Sequence, residues 1–361
     1  MPAPKIAAAR LLAFNILRRV EAGGYASDLL LTQSATLDSR DAGLAAELVF
    51  GVLRYRAQLD FLIDHYAGKS RKLDIEVRLA LRLGIYQLRY LERIPSHAAV
   101  KESVELVKNA RKTSAAPFVN AILRQVDRDP VAWPTREIEL SCPEWLLGRW
   151  EAAHGTETAT AIARAALIEP EKYVRISAAG DRTQDIGSQT IVPLLALEAG
   201  QSFLDLCAAP GNKTAQALEA GVQTVACDLH FHRLVQMKPL TPNLVALDGT
   251  RPLPFSRPFD RILVDAPCSG TGTLARNPEI KWRLTPADLT DLTARQTALL
   301  DHALGALAPG GVLVYSTCSL ETEENEGVVS RVPASRIVQK MQRLPGRDAG
   351  DGFFACVIKS D

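Results

Sequence analysis

The stretch Ser202–Lys213, with the sequence SFLDLCAAPGNK, decides the fold of the longer, carboxyl-terminal part of the chain. Its apolar run Phe203–Leu206 is typical of a buried strand, and it leads into a turn of small residues with one proline and one glycine. Lys213 then opens the run KTAQAL, which is typical of a helix start. A strand, a tight turn and a helix in this order bring backbone N–H groups close to a nucleotide-like ligand.

The turn matches neither of the two familiar phosphate loops, because it lacks both G-x-G-x-x-G and G-x-x-x-x-G-K-[ST]. A loop with one glycine and no phosphate cradle suits a ligand that carries a nucleoside but no pyrophosphate. The pattern therefore favours S-adenosylmethionine, although an ordinary strand-to-helix turn of any α/β domain gives the same local signal.

Size and composition restrict the class of protein. The chain has 361 residues, of which 47% are hydrophobic and 23% charged, as in a globular protein with two or three domains. No apolar run is long enough to span a bilayer. The six cysteines are unclustered and form no C-x-x-C, which argues against a disulfide framework and a zinc site. We expect a monomer in a reducing, cytoplasmic compartment, with no metal and no membrane contact.

Charge divides the chain into two parts. Residues 1–128 carry a net charge of +7, and the remainder carries −6. Apolar residues recur at spacings of three and four in the first part, as at Val77, Leu81 and Ile85, so residues 1–130 are predicted to form an all-α domain. A basic and aromatic stripe on its third long helix predicts a surface that binds RNA phosphates, although periodicity alone also fits a protein-binding bundle. The stripe consists of Arg78, Arg82, Tyr86, Arg89 and Tyr90.

Residues 131–195 are broken by prolines and predict a short connector in which EKYVRI is a strand. From residue 196 to residue 361, apolar runs alternate with helical patterns, which predicts an α/β domain with a mostly parallel, Rossmann-like sheet. The segment that begins at Thr285 and Pro286 predicts a long helix with Thr285 as its N-cap. The predicted strands are SFLDL, TVACD, NLVAL, RILVD and GVLVY.

Three acids come at the ends of successive predicted strands, where an α/β sheet binds its ligands. Asp228 is placed to accept hydrogen bonds from ribose hydroxyls, and Asp248 to contact an adenine. Asp265 ends the fourth predicted strand. The alternative interpretation of any one of them is an aspartate that starts a turn.

Two cysteines also lie at strand ends, Cys268 in DAPCSG and Cys318 in YSTCS. Carbon 5 of a pyrimidine is a poor nucleophile, but a thiolate that adds to carbon 6 makes carbon 5 reactive toward a sulfonium methyl group. A carboxyl group near ring nitrogen 3, such as that of Asp265, stabilises the adduct. A second cysteine can then assist the release of the first. Cys142, Cys227 and Cys356 are interpreted as ordinary core residues.

The motifs LDLCAAPGNKT, VDAPCSGTG, NPEIKW, YSTCSLETEEN and DGFFACVIK resemble those of the NOP2/Sun family of RNA cytosine-5 methyltransferases. The stretches ARLLAFNILRRVEAGGYASDLLL and LALRLGIYQLRYLERIPSHAAVKESVELVK resemble the NusB-like RNA-binding domain of its bacterial Sun/Fmu type. The resemblance implies S-adenosylmethionine-dependent methylation of 16S ribosomal RNA.

The resemblance also implies roles for individual residues. Cys318 is the nucleophile, Cys268 assists release and Asp265 contacts the base. If the chain followed the plan of the DNA cytosine-5 methyltransferases, Cys268 would attack instead. The predicted cofactor contacts are Cys207, Ala208, Ala209, Pro210, Gly211, Asn212, Lys213, Asp228, Asp248 and also Asp265. The RNA contacts that we read beside the cysteines are Arg276, Lys281, Trp282 and Arg283.

Two departures from the family pattern stand out. Asn212 replaces the second glycine of the cofactor loop, and asparagine is the non-glycine residue that best tolerates a positive φ, so we expect cofactor binding to survive. The connector is shorter than in the family, which bears on RNA affinity. Trp282 fits a core position equally well. Transfer RNA as the substrate, and a non-catalytic RNA-binding or ribosome-assembly factor, remain the alternatives, and the retained cysteines and Asp265 argue against the second.

Overall fold

The computed structural model describes residues 6–68, 72–177, 180–241 and 243–360. The chain divides into two compact units. The first contains residues 1–148, 166–168 and 275–282, and the second contains residues 149–165, 169–274 and 283–361. We refer to them as the helical unit and the catalytic unit.

The helical unit is built from amphipathic helices around one apolar core, as predicted. Phe14, Leu48, Leu59 and Leu81 are among its fully enclosed side chains. The repeat of apolar residues at three and four places these side chains on the inner faces of the helices. The helices are α1 (Ala8–Glu21), α2 (Ala26–Gln33), α3 (Ser39–Arg54), α4 (Arg56–Ala67), α5 (Ile75–Tyr90), α6 (Ser96–Asn109), α7 (Ala116–Leu123) and α8 (Arg136–Glu139).

Helix α5 runs through the middle of this unit, and its basic and aromatic stripe points inward. Arg82 is 2% exposed and donates to both carboxylate oxygens of Asp60, at 2.8 and 2.7 Å, and to Glu21 at 2.9 Å. The Tyr86 hydroxyl donates to Glu47, and Arg89 donates to backbone carbonyl groups. The prediction that this stripe binds RNA phosphates is therefore wrong, because its charges are neutralised inside the bundle.

The catalytic unit is a seven-stranded sheet with helices packed against it. Its strand order is β5-β4-β3-β6-β7-β9-β8, and the first five of these strands are parallel, whereas β9 is antiparallel to both β7 and β8. Helix α9 begins in the helical unit. The elements are α9 (Glu144–His154), α10 (Thr156–Ala165), β1 (Val174–Arg175), β2 (Arg182–Thr183), α11 (Ile186–Gln189), β3 (Ser202–Asp205), α12 (Asn212–Leu218), β4 (Gln223–Asp228), α13 (Phe231–Val235), β5 (Leu244–Ala246), β6 (Phe259–Asp265), α14 (Ile280–Arg283), α15 (Pro286–Gly305), β7 (Leu307–Thr317), β8 (Ile337–Arg343) and β9 (Phe353–Lys359).

This topology sets the position of the ligand crevice. From β3 the chain builds the sheet outward through β4 and β5, and it then returns to the other side of β3 with β6 and β7. The order reverses between β3 and β6, and such a switch point opens a crevice at the carboxyl ends of the strands. The predicted α/β fold with a mostly parallel sheet is confirmed.

In the catalytic unit, local sequence signals predict the start of α15 correctly, but they predict the short strands and the edge strand less well. Helix α15 begins at Pro286, and Thr285 caps it in a reciprocal capping box with Asp288. The stretch EKYVRI contributes only the two-residue strand β1, paired with β2. Strand β8, which lies at the sheet edge, is not among the predicted strands. Within the described ranges, no helix is long and apolar enough to cross a membrane.

Candidate active site

The loop between β3 and α12 lies at the switch point and is shaped by one glycine. Gly211 has a φ of 101°, and a Cβ atom there would lie 2.8 Å from a methyl carbon of Leu240. The backbone conformation therefore requires glycine, and a larger residue would also have to displace the Leu240 side chain. The Ala209 N–H donates to the Asp228 carboxylate at 3.2 Å, and the Ala208 N–H donates to the carbonyl of Cys227 at 2.8 Å. The loop is thus held against β4.

Asn212 is the first residue of helix α12 and so has a right-handed conformation. The loop's left-handed position is the preceding Gly211. The expected tolerance of Asn212 for a positive φ is therefore not what the loop requires. The replacement of the second family glycine meets no backbone demand at this position.

Asp228 and Asp248 lie at the ends of neighbouring strands, as predicted, but they have different surroundings. Asp228 is 9% exposed, and its carboxylate accepts the N–H groups of Ala209 and His230. Asp248 lies two residues beyond β5 and accepts the hydroxyl of Thr250 at 2.6 Å and its N–H at 3.0 Å. These hydrogen bonds lower the pKa of Asp248. Asp248 therefore starts a turn as well as lying at a strand end.

Asp265 ends β6 and is held by two partners. Its Oδ2 lies 2.6 Å from the Lys213 ammonium, and its Oδ1 accepts the Ser316 hydroxyl at 2.8 Å. Burial opposes the charge on Lys213, but the neighbouring Asp265 outweighs it and raises the lysine pKa. Lys213, which the sequence predicts as a cofactor contact, is thus first of all the ion-pair partner of Asp265.

The two cysteines predicted to act together are in contact. Cys268 follows β6 and Cys318 follows β7, and their Sγ atoms are 3.3 Å apart. The hydrogen bond to Cys318 raises the pKa of Cys268 well above its usual value, and burial adds to this effect. Cys142, Cys227 and Cys356 are buried, as interpreted from the sequence. Burial also raises the pKa of Cys207 well above its usual value.

A buried polar network, which the sequence reasoning missed, lies beneath the two cysteines. Glu324 is fully buried, and its carboxylate accepts hydrogen bonds from the Ser269 N–H and the Ser319 hydroxyl, one residue beyond each cysteine. Gln296 of α15 donates to the same carboxylate at 2.8 Å. Two features of the sequence could have indicated this network, namely the serine after each cysteine and the acid-rich run ETEEN that follows Cys318.

The segment 275–282, predicted as part of the catalytic domain, belongs to the helical unit. Arg54 donates twice to the Ala275 carbonyl, and the Ala26 N–H donates to the Glu279 carboxylate at 2.9 Å. The Trp282 indole N–H donates to the Leu53 carbonyl at 2.7 Å, so Trp282 has the structural role left open for it.

Lys281 does not fit its predicted role as an RNA contact. It is 1% exposed, and its ammonium donates to the Arg54 carbonyl at 3.0 Å. Burial lowers the pKa of Lys281 to about 8. An RNA phosphate cannot reach this side chain without opening the helical unit, so the prediction is wrong. Arg276 and Arg283 are partly exposed and remain predicted RNA contacts.

No group of three or more His, Cys, Asp and Glu side chains within the described ranges could hold a metal ion.

One buried carboxylate near the cofactor loop has an oxygen atom that accepts no hydrogen bond. Asp205, at the end of β3, is 1% exposed, and its Oδ2 accepts the Thr214 hydroxyl while its Oδ1 has no partner. Burial raises the pKa of Asp205 to about 7.

Family models match both parts of the chain. The model described as 16S rRNA methyltransferase RsmB/F matches residues 192–359, and that of the NusB family matches residues 7–128. The chain is 30% identical over 438 residues to "Probable ribosomal RNA small subunit methyltransferase B" of Bacillus subtilis (strain 168), with 97% of this chain and 98% of the relative covered. It is 32% identical to ribosomal RNA small subunit methyltransferase B of Citrobacter koseri, with 93% and 94% covered.

Solved structures agree with the fold. The crystal structure of PH0851 matches with a TM-score of 0.77 and 17% identity, and the match covers 99% of this chain and 100% of that protein. A methyltransferase homolog protein from Pyrococcus horikoshii matches with a TM-score of 0.50 and 23% identity, over 62% of this chain and 97% of its own.

Proposed function

The chain belongs to the RsmB/F family of 16S rRNA methyltransferases, and on that premise we propose that it methylates carbon 5 of a cytosine in 16S ribosomal RNA. The observation that carries the proposal is the pair of thiols 3.3 Å apart at the ends of β6 and β7. Beside them, Asp265 is fixed by Lys213 and Ser316. A nucleophile, a proton donor and a carboxyl group next to a nucleoside-type crevice are the parts that this chemistry requires.

The residues present fit S-adenosylmethionine as the methyl donor, which supplies an electrophilic methyl group when it is bound. The buried Asp205 Oδ1 lacks a donor, and a ligand that brings an ammonium group would satisfy it. Residues 207–213 and Asp228 form the loop and strand end that would hold the cofactor, with Asp248 at the next strand end. Gly211 supplies the left-handed backbone position of the loop.

Cys318 acts first in the proposed reaction. Its thiolate forms a bond to carbon 6 of the cytosine, and the electron pair of the 5,6 double bond makes carbon 5 nucleophilic. Asp265 stabilises the adduct at the pyrimidine edge, with Lys213 and Ser316 fixing its orientation. After carbon 5 has taken the methyl group and lost its proton to solvent, the double bond re-forms, and the bond between sulfur and carbon 6 breaks.

Cys268 is the proton donor in the last step. The Cys318 contact and burial raise the pKa of Cys268, so this thiol keeps its proton at neutral pH. A protonated thiol 3.3 Å away can transfer its proton to the departing sulfur of Cys318. The opposite assignment, in which Cys268 attacks, would require the thiol with the raised pKa to ionise first. Both thiols must be reduced, so the proposal includes a reducing, cytoplasmic compartment.

The substrate proposal is supported by the NusB-type helical unit and by the relatives named as ribosomal RNA small subunit methyltransferases. The target base has to leave its stack to reach the thiols. We propose that Arg276 and Arg283 contact the RNA. Transfer RNA is the alternative substrate for the same active site.

The test is methyl transfer from radiolabelled S-adenosylmethionine to unmodified 16S RNA, with denaturing gels that detect protein–RNA adducts. We expect Cys318→Ala to lose activity by about 10³-fold or more and to form no adduct. We expect Cys268→Ala to accumulate a covalent RNA complex. Cys142→Ala is the matched control, because its buried thiol lies in the other unit.

Each result of this test has a separate meaning. An adduct that disappears in Cys268→Ala and persists in Cys318→Ala would reverse the assigned roles. Label in transfer RNA but not in 16S RNA would keep the chemistry and refute the substrate. If wild type labels neither RNA while it binds S-adenosylmethionine and 16S RNA, the non-catalytic factor becomes the better account.

A further inference from the structure

Glu324 is a buried carboxylate for which the reaction has no direct use. Its side chain is fully enclosed in the turn Glu323–Gly327 that follows Cys318. The three donors that it accepts from are uncharged: the Ser269 N–H at 2.8 Å, the Gln296 amide at 2.8 Å and the Ser319 hydroxyl. Burial of a carboxylate without a cation is costly. The positions of the three donors indicate the function of this carboxylate.

These partners belong to both cysteine loops. Ser269 follows Cys268 and Ser319 follows Cys318, so one carboxylate links the residues next to both thiols. The two serine hydroxyls are also 3.0 Å apart. Gln296 adds a second connection, because its amide donates to the Pro267 carbonyl, just before Cys268, at 2.9 Å. The loops therefore meet at Glu324 rather than only at the sulfur atoms.

We propose that Glu324 is a positioning residue, whose buried carboxylate joins the two cysteine loops and sets both the separation and the different roles of Cys268 and Cys318. The role of the thiols is that of the proposed function above, and the inference rests on it. Glu324 touches neither thiol in a hydrogen bond of the described residues. It acts through Ser269 and Ser319.

The charge of Glu324 acts on Cys268. It is one of the groups that disfavour a thiolate at Cys268, after the Cys318 hydrogen bond and burial. The Lys213 ammonium interacts electrostatically with Cys318, and this interaction is one of the causes that raise the pKa of Lys213. Tyr315, whose hydroxyl donates to the Glu324 carbonyl at 2.7 Å, also interacts electrostatically with Cys268, Cys207 and Asp265. The Glu324 charge therefore helps to keep the proton on Cys268.

Two substitutions separate charge from position. Glu324→Gln keeps an acceptor for Ser269 and Gln296 and presents an amide donor to the Ser319 hydroxyl, which is then free to donate elsewhere, so the loops stay joined without the charge. Glu324→Ala removes both. The matched control is Glu326→Gln, the same change two residues further along, at a partly exposed side chain.

The measurement is the pH dependence of iodoacetamide labelling at Cys268 and Cys318, read peptide by peptide by mass spectrometry on the full chain without RNA. In wild type we expect Cys318 to label at lower pH than Cys268. In Glu324→Gln we expect labelling of Cys268 near neutral pH to rise by about three- to tenfold, because the opposing charge is gone. In Glu324→Ala the difference between the two thiols should disappear.

Methyl transfer provides the second readout. Glu324→Gln should retain activity within about tenfold, and Glu324→Ala should lose about 100-fold in kcat with little change in KM for the cofactor. Equal labelling profiles in Glu324→Gln, Glu324→Ala and Glu326→Gln would overturn the proposal. If wild type shows the predicted labelling order but methylates no RNA, the proposed function fails while Glu324 still sets the thiols apart.

Discussion

Two ion pairs, one in each unit, look alike by distance but differ in setting. In the catalytic unit, Lys213 lies 2.6 Å from Asp265, with side chains 12% and 28% exposed. In the helical unit, Arg82 lies 2.7 Å from Asp60, with side chains 3% and 29% exposed. The first pair sits at the carboxyl ends of parallel strands, where a ligand crevice opens, and the second lies inside a helix bundle. The comparison shows that position in the fold, rather than residue type, separates chemistry from architecture.

The same contrast explains which predictions were right. Strand direction can be inferred from alternating strands and helices, and it brings the ends of all parallel strands to one edge, so Asp228, Asp265, Cys268 and Cys318 could be located from sequence. A stripe along a helix carries no such information. Helix α5 packs against neighbours on several sides, so its buried Arg82 needed acidic partners, and Glu21 and Asp60 lie on other helices of the bundle.

The largest effect is expected for Arg82→Met in the helical unit. This change leaves the carboxylates of Asp60 and Glu21 without their buried partner, and we expect a loss of about 3 kcal/mol in the free energy of opening α4 and α5. Native-state hydrogen exchange of the α4 and α5 amides measures this loss. RNA affinity and its dependence on salt should be unchanged once the protein is folded.

Arg18→Met is the control, because the Arg18 side chain is 47% exposed and lies 3.6 Å from Glu76. It should cost less than about 0.5 kcal/mol. A folded Arg82→Met protein whose salt slope of RNA binding falls by about one would mean that Arg82 does contact a phosphate. The interpretation of the Arg82–Asp60 ion pair as purely structural would then be wrong.

The sequence accounts for the order and type of the main elements, because periodicity and cap residues are local. Thr285 and Pro286 set the start of α15 for this reason. It does not reveal β8, an edge strand whose run IVQKMQR contains four polar residues, nor Glu324, whose partners include Ser269 in the other cysteine loop and Gln296 of α15. Lys281 was mispredicted because a lysine beside an active-site motif suggests a phosphate contact. Only the packing shows that this side chain lies inside the helical unit.

The burial of Lys281 in the helical unit can be tested through the pH dependence of stability. Burial lowers the pKa of Lys281 from 10.5 to about 8. Below that pH the lysine is charged in both the folded and the unfolded state, and the folded state bears the full cost of burying the charge. Between the two pKa values the unfolded state binds more protons, so stability rises with pH. We expect a gain of about 3 kcal/mol across this range in wild type that is absent in Lys281→Met.

Urea unfolding followed by tryptophan fluorescence measures this gain, since Trp282 lies beside Lys281 in the helical unit. Lys101→Met, at an exposed lysine of α6, should keep the wild-type dependence on pH. Parallel curves for wild type and Lys281→Met would mean that Lys281 is solvated in solution. Its prediction as an RNA contact would then be open again.

The smallest effects concern the cofactor loop, where Gly211 has a left-handed backbone and its neighbour Asn212 begins α12. Gly211→Ala forces an L-residue into a φ of 101° and places a methyl group 2.8 Å from Leu240. We expect it to lower the free energy of unfolding by about 1–2 kcal/mol and to weaken the affinity for S-adenosylmethionine about tenfold, as measured by calorimetry.

Asn212→Gly restores the family residue at the first position of α12, where glycine gains nothing from positive φ. It should change stability by less than about 1 kcal/mol and affinity by less than about twofold. If Asn212→Gly instead tightened binding tenfold, the asparagine side chain itself would hinder the cofactor, and the loop would be limited by side-chain contact rather than by backbone conformation.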